Sequence, residues 1–171
     1  MKISVRELVI FALFGAIMFV SKLFMEVLPN VHLLGTFIVA LTVVYRTKAL
    51  FPIYVYVFLD GLFHGFAPWW YPYLYIWTVL WGFTMLLPKK MPLKVQSFVY
   101  PIISALHGIL FGILYAPLQA IMYGLNFEGM LSWIIAGLPF DITMAISNLV
   151  AGFLIVPLIQ IIKLCNNKKT S

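Results

Sequence analysis

The sequence predicts an all-α integral membrane protein: a bundle of six transmembrane helices with both termini in the cytoplasm. Three observations carry this prediction. Of the 171 residues, 64% are apolar and only 9% are charged, whereas a soluble domain carries about 25% charged residues. The apolar residues form continuous runs of about 20, the length that a helix needs to cross a bilayer, without the alternation of a membrane barrel. Basic residues stand in short clusters between these runs.

Each apolar run is assigned to one span of a single transmembrane domain covering residues 1–171. The first run is too long for a signal peptide and has no convincing cleavage site before Pro29, so we expect it to be retained. Pro29 ends this run, because proline cannot continue a helix. The second run is short and the last two are long, differences that tilt or burial of one end can absorb. The predicted spans are 7–28, 31–45, 49–66, 69–87, 96–123 and 131–163.

The positions of the basic residues predict the orientation of the bundle. With six spans, all but one of the 11 Lys and Arg residues fall on the same side of the membrane, and the opposite connections carry none. The positive-inside rule places this side in the cytoplasm and predicts a multi-pass protein of the cell membrane. Lys22 is the exception. The residues on the basic side are Lys2, Arg6, Arg46, Lys48, Lys89, Lys90, Lys94, Lys163, Lys168 and Lys169.

Polar side chains within the spans gather toward the predicted outer side. Because such groups are costly in a bilayer, they usually face a cavity or a partner. Lys22 and Glu26 are four residues apart, as are Asp60 and His64, so each pair shares a helix face. We predict an outward-facing pocket in which aromatic rings stack on a flat ligand and polar groups fix its edge. The candidate ligand-binding residues are Glu26, Asp60, His64, Tyr73, Trp77, Gln119, Asp141 and Asn148.

Simpler roles stay open for several of these side chains. Lys22 with Glu26, and Asp60 with His64, would also satisfy each other as structural ion pairs. The Trp residues at 69–70 suit an aromatic belt at the membrane surface, since Trp and Tyr favour headgroup depth. The sequence alone leaves both readings of each group standing.

Motifs for catalysis are missing from the sequence. It contains no G-x-x-x-x-G-K-[ST], no H-E-x-x-H and no G-x-S-x-G. Its acids and histidines show no metal-ligand spacing, so we predict no enzyme, no metal and no cofactor. Ser104 and His107 could share a helix face, but this pairing is common by chance, and we expect His107 to serve packing. The basic clusters fit membrane topology better than nucleic-acid binding.

The first span carries a stripe of small side chains. Within "ELVIFALFGAIMFV", the residues Ala12, Gly15 and Ala16 stand on neighbouring turns. Small residues let two helices approach closely in a membrane, where apolarity alone does not bring helices together. The contact is either internal or a docking face. Through this stripe, its length, its six predicted spans and its predicted cytoplasmic termini, the sequence resembles the substrate-binding S components of energy-coupling-factor (ECF) vitamin transporters.

The resemblance implies a mechanism. An S component captures a vitamin or a vitamin precursor from outside and docks through its first span onto a transmembrane coupling subunit that carries two cytoplasmic ATPases. ATP hydrolysis in these partners then drives inward release, which agrees with the missing P-loop. Ala12, Gly15 and Ala16 would be the docking residues. Metal-specific relatives begin with Met-His, whereas this chain begins Met1-Lys2, which argues against nickel or cobalt as the ligand. We expect the ligand to be a small polar heterocycle, pyrimidine or pyridoxine-like.

Two other classes of function are compatible with the sequence. A stand-alone secondary transporter or channel would use Asp60 and Asp141 as protonation or ion sites, although such carriers often show internal repeats and we find no convincing one. A structural or assembly protein would use the same polar groups to hold helices together.

Overall fold

The computed structural model describes residues 3–167; Met1, Lys2, Lys168 and Lys169 lie outside them. Every regular element among the described residues is helical. Ser4 and Glu7 form a reciprocal capping box that begins the first helix, and Asn126 caps the sixth through the Gly129 amide. The helices are α1 (Val5–Met25), α2 (Leu34–Tyr45), a 3₁₀ helix (Arg46–Ala49), α3 (Leu50–His64), α4 (Tyr73–Leu86), α5 (Leu93–Tyr123), α6 (Phe127–Gly152) and α7 (Ile155–Asn167).

Several helical stretches of the described chain are long and apolar enough to cross a membrane. There are four of them: Val5–Met25, Leu34–His64, Leu93–Tyr123 and Phe127–Gly152. The second stretch comprises α2, the 3₁₀ helix and α3, while α4 and α7 are shorter apolar helices. Large apolar side chains are exposed all along α1, α5 and α6. A surface of this kind suits lipid and not water, so the fold is that of a helical membrane protein.

The basic connections meet at one end of the bundle. Glu7 at the start of α1 forms an ion pair with Lys48, and the Tyr45 hydroxyl lies 3.3 Å from the side-chain oxygen of Asn166 near the end of α7. The start of α1, the connection from α2 to α3 and the last turns of α7 therefore lie together. We call this the basic end; its cations include Arg6, Arg46, Lys48 and Lys89.

The chain reverses direction between α2 and α3. Arg46 has a φ of 53°, and its carbonyl accepts a hydrogen bond from Trp81 Nε1 at the basic end. At the opposite end, Lys22 of α1 contacts Asp60 of α3, so α1 and α3 run side by side in the same direction. His32, just before α2, contacts Trp77 at a ring-centroid distance of 5.9 Å. The stretch Leu34–His64 is thus a helical hairpin.

Helix α2 occupies the centre of the bundle, which explains how a short helix suffices there. Its residues from Leu34 to Thr42 are buried except Phe37, and the Thr36 hydroxyl donates to the carbonyl of Ala151 on α6. Twelve residues span only about 18 Å at 1.5 Å per residue. Because its neighbours shelter both ends, α2 does not have to match the thickness of the bilayer by itself.

The stretch predicted as the sixth span, 131–163, is two helices and not one. Helix α6 ends at Gly152, and α7 begins at Ile155. Pro157 has no amide hydrogen to bond the carbonyl of Phe153, and its ring crowds that carbonyl, so a continuous helix is disfavoured here. The amides of Phe153 and Leu154 instead close tighter turns onto Val150 and Ala151.

Helices α5 and α6 form a close antiparallel hairpin because glycines face backbone across it. A Cβ atom on Gly108 would stand 2.8 Å from the backbone nitrogen and Cα of Ala145, and one on Gly152 would stand 2.6 Å from the Cα of Pro101. Gly124, with a φ of 65°, ends α5 in the left-handed conformation. These contacts fix the register of the two longest helices.

We expect Gly108→Ala to destabilise the protein by roughly 1–3 kcal/mol, because the new methyl group would push apart two backbones that cannot yield locally. The control is Gly137→Ala on α6, where nothing lies within 4 Å of the added carbon. That change should be neutral or slightly stabilising, since alanine is the better helix former. Thermal unfolding in detergent measures both, and equal shifts would contradict the close α5–α6 contact.

Candidate ligand-binding site

Four ionisable side chains of α1 and α3 form one cluster, which we call the ion cluster: Lys22, Glu26, Asp60 and His64. Lys22 Nζ lies 2.6 Å from Asp60 Oδ1 and 3.9 Å from Glu26 Oε1. The two ring nitrogens of His64 lie 3.2 Å from Asp60 Oδ1 and 3.1 Å from Glu26 Oε1. The shared faces expected within each helix are present, but the shortest ion pair joins one helix to the other.

Burial changes steeply across the ion cluster. The Asp60 side chain is fully buried, whereas those of Lys22, His64 and Glu26 are 17%, 28% and 39% exposed. Asp60 Oδ2 has no hydrogen-bond partner among the described residues. The cluster therefore runs from a buried carboxylate that holds Lys22 to an accessible carboxylate at the surface of the bundle.

A cavity of about 140 Å³ adjoins the ion cluster. The connection between α1 and α2 forms one side of it, through residues 28–32, and side chains of α4, α5 and α6 form the other. Asn30, in this connection, has a φ of 60°, which asparagine tolerates better than most residues. The lining of the cavity includes Lys22, Glu26, His32, Tyr73, Phe111 and Met144.

Two rings that line the cavity, Tyr73 and Phe111, belong to an aromatic cluster centred on Trp77. Its ring centroid lies 5.5 Å from that of Tyr73, 5.7 Å from that of His107 and 5.7 Å from that of Phe111. Lys22 Nζ also stands 5.7 Å from the Tyr73 ring, close enough for a cation–π contact. The site thus combines flat apolar surfaces with charges at one edge, the composition typical of small-molecule pockets.

Several buried polar atoms around Trp77 have no hydrogen-bond partner among the described residues: His32 Nδ1, Tyr56 Oη, Trp77 Nε1 and His107 Nδ1. His107 Nε2 lies 3.0 Å from the Ile76 carbonyl. A carbonyl only accepts, so Nε2 is the donor, and Nδ1 is the acceptor of a neutral ring. Buried polar groups nearly always find partners, which makes this group of atoms a candidate lining for a polar ligand.

The predicted site residues divide into two groups. Glu26 and Tyr73 line the cavity, Trp77 packs against Tyr73, and Asp60 and His64 complete the ion cluster. The other three belong neither to the cavity lining nor to the ion cluster and lie along α5 and α6. Asp141 Oδ2 accepts from the Gly112 amide at 3.1 Å, and Asn148 Nδ2 donates to the Ser104 carbonyl at 3.1 Å. Gln119 is buried on α5.

Sequence reasoning did not single out His32, Phe111 and Met144, which line the cavity, or Tyr56, which contacts Trp77. His32 carried a usable signal, because it follows the helix-breaking "LPN" at the same end of the bundle as Glu26. Tyr56 and Phe111 sit in apolar runs and look like core residues. His107 was expected to serve packing; it is fully buried against Trp77, but one of its nitrogens lacks a described partner.

The small-residue stripe of α1 is divided between the interior and the surface. A Cβ atom on Gly15 would collide with the Val55 side chain and stand 3.0 Å from the Pro52 carbonyl oxygen. Gly15 therefore serves the internal contact of α1 with α3. Ala12 is exposed and Ala16 is partly exposed, so these two form the part of the stripe that a partner could reach.

No protein-family model, no curated protein and no solved structure matches this chain. The function of the site is therefore inferred from the geometry of its own side chains.

Proposed function

We propose that this chain is the high-affinity binding subunit of an ECF-type importer. It captures a small vitamin or vitamin precursor from outside and docks on a transmembrane coupling subunit linked to two cytoplasmic ATPases. The observation that carries the proposal is the ion cluster beside an aromatic cavity, at the end of the bundle opposite the basic end. The small residues Ala12 and Ala16 on the open face of α1 supply the docking surface.

The orientation follows from the charges. With the basic end in the cytoplasm, the ion cluster and its cavity face the exterior of the cell membrane. In this proposal α1 to α5 make one crossing each, and α6 with α7 makes the sixth. The contact of Asn166 with Tyr45 at the basic end supports the last crossing. Both termini are then cytoplasmic. Lys22 is the one basic residue on the outer side, and its charge is balanced there by the ion pair with Asp60 within the bundle.

The ligand is a small heterocycle, pyrimidine or pyridoxine-like. A flat ring fits against Tyr73 and Phe111, and its polar edge meets Glu26 and His32. A cavity of about 140 Å³ is below the usual range of roughly 300–1,000 Å³ for drug-sized ligands, so the ligand is a single substituted ring and not a larger fused one. Burial of that ring on aromatic surface supplies the affinity, and the polar contacts supply the selectivity.

Native mass spectrometry of the gently purified protein tests this function. We expect one small organic molecule of constant mass to remain bound. Tyr73→Ala should weaken its binding at least tenfold, the factor that corresponds to losing about 1.4 kcal/mol of contact, and so lower the fraction of protein that retains the molecule. Tyr71→Ala is the control, since Tyr71 is 44% exposed and is not among the residues lining the cavity. Equal occupancy in both variants, or no bound molecule in the wild type, would count against the proposal.

The structure gives less support to a stand-alone carrier that uses Asp60 and Asp141. Asp60 is held by Lys22 between α1 and α3, and Asp141 accepts from Gly112 between α5 and α6, so the two carboxylates serve separate interfaces. Uptake by vesicles that contain this chain and no ATPase would nevertheless establish that function. A purely structural role would leave the wild type without a bound molecule in the experiment above.

A further inference from the structure

The ionisable side chains around the cavity differ in how easily a ligand can reach them. Lys22 is engaged by the fully buried Asp60 at 2.6 Å, while Glu26 lies 3.9 Å from the same ammonium. Glu26 is the most exposed member of the ion cluster and lines the cavity. Two carboxylates therefore share one lysine, with His64 as the remaining partner, and the carboxylate that a ligand can reach is that of Glu26.

The walls of the cavity also favour positive charge. Tyr73 and Phe111 present aromatic rings beside Glu26, and aromatic faces attract cations through their quadrupole. His32 lines the same cavity, is 8% exposed, and its Nδ1 has no hydrogen-bond partner in the described chain. That nitrogen can accept from or donate to a polar group on the ligand, depending on its tautomer.

An anionic ligand would meet the opposite situation. Lys22 also lines the cavity, but its ammonium already pairs with Asp60 and lies 3.9 Å from Glu26. An anion would compete with these two carboxylates for its three N–H donors and weaken the pairing of Asp60, whose Oδ2 has no described partner. A carboxylate left buried without its counter-ion is strongly destabilising. The ammonium of Lys22 is thus committed to the fold, and it is not the group that selects the ligand.

We propose that the cavity selects a small organic cation: a flat ring that carries a protonated or quaternary nitrogen. The positive group pairs with Glu26, the ring lies against Tyr73 and Phe111, and a polar edge meets His32. This inference rests on the proposed ligand-binding function and adds the charge of the ligand to it.

Three probes of matched shape and different charge test the inference: benzylammonium, benzyl alcohol and benzoate. The full chain is placed in nanodiscs of phosphatidylcholine, whose lack of net charge avoids attraction of cations to the lipid surface, and binding is measured by calorimetry. We expect benzylammonium to bind at least tenfold more tightly than either of the others, a difference of about 1.4 kcal/mol. Preference for benzoate or benzyl alcohol overturns the cation inference and leaves the binding function standing.

Variants locate the selectivity. Glu26→Gln should lower the affinity for benzylammonium at least tenfold and leave the affinity for benzyl alcohol unchanged. The control is Glu128→Gln, at the start of α6 and outside the cavity lining, which should change neither affinity. Loss of both probes in Glu26→Gln would make Glu26 a structural residue and overturn the inference. If the wild type binds none of the three probes, the cation inference and the proposed binding function both fail.

Discussion

Lys22→Met should destabilise the protein by about 3–5 kcal/mol, the cost of removing one partner of a buried ion pair. The substitution leaves the Asp60 carboxylate fully buried, with the His64 ring nitrogen 3.2 Å away as a remaining polar neighbour. Methionine preserves most of the apolar volume of the lysine side chain, so the loss of stability is caused by the missing charge and not by a cavity. Unfolding in detergent micelles, followed by circular dichroism as temperature rises, measures the change.

The matched control is Lys48→Met. Lys48 also forms an ion pair, with Glu7, but both side chains are more than a quarter exposed, and such pairs contribute only about 0–1 kcal/mol. The double variant Lys22→Met/Asp60→Leu should recover most of the stability, because an apolar pair can replace a buried ion pair. Equal losses in the two single variants would show that Asp60 is not held as a buried carboxylate by Lys22.

The ion cluster illustrates what sequence spacing can and cannot predict. The four-residue spacing of Lys22 and Glu26 placed both on one face of α1, and the same holds for Asp60 and His64 on α3. Spacing within a helix says nothing about which helix packs against that face. The pairing of Lys22 with Asp60 depends on the close approach of α1 to α3 at Gly15, which is a tertiary contact.

A similar limit explains why Gln119, Asp141 and Asn148 belong neither to the cavity lining nor to the ion cluster. Hydropathy and topology predict how deep a residue lies in a bundle, because depth follows position along a span. They do not predict the direction in which the helix faces. Gly108 and Gly112 bring α6 close to α5, and this contact turns Asp141 and Asn148 toward the α5 backbone.

The helical class was predictable from composition and run length, and four helical stretches of the described chain have the expected length and apolarity. The break after Gly152 was missed because hydropathy stays high through residues 150–162. Pro157 indicated a disturbance in the helix, but a proline inside an apolar run either bends or ends a helix. Local sequence does not decide between these two outcomes, since neighbouring helices in a membrane can satisfy the freed carbonyl.

Ala12→Trp should abolish ATP-dependent uptake and leave ligand binding intact. Ala12 is exposed on α1, so an indole there does not disturb the ion cluster or the cavity. It prevents the close backbone approach through which small residues join helices in a membrane. Loss of 1.4 kcal/mol or more of docking energy lowers the fraction of assembled transporter at least tenfold when docking is weak. Uptake of the co-purifying ligand by cells and calorimetry on the purified chain measure the two properties separately.

Two further variants distinguish docking from packing. Gly15→Leu would collide with Val55 and separate α1 from α3, so it should lose stability and ligand binding as well as uptake, because Lys22 would no longer reach Asp60. Ile142→Trp places the same bulk on an exposed position of α6 and should leave uptake unchanged. If Ala12→Trp loses ligand binding like Gly15→Leu, the exposed part of the stripe is internal packing. If uptake with Ala12→Trp equals uptake with Ile142→Trp, partners dock on another face.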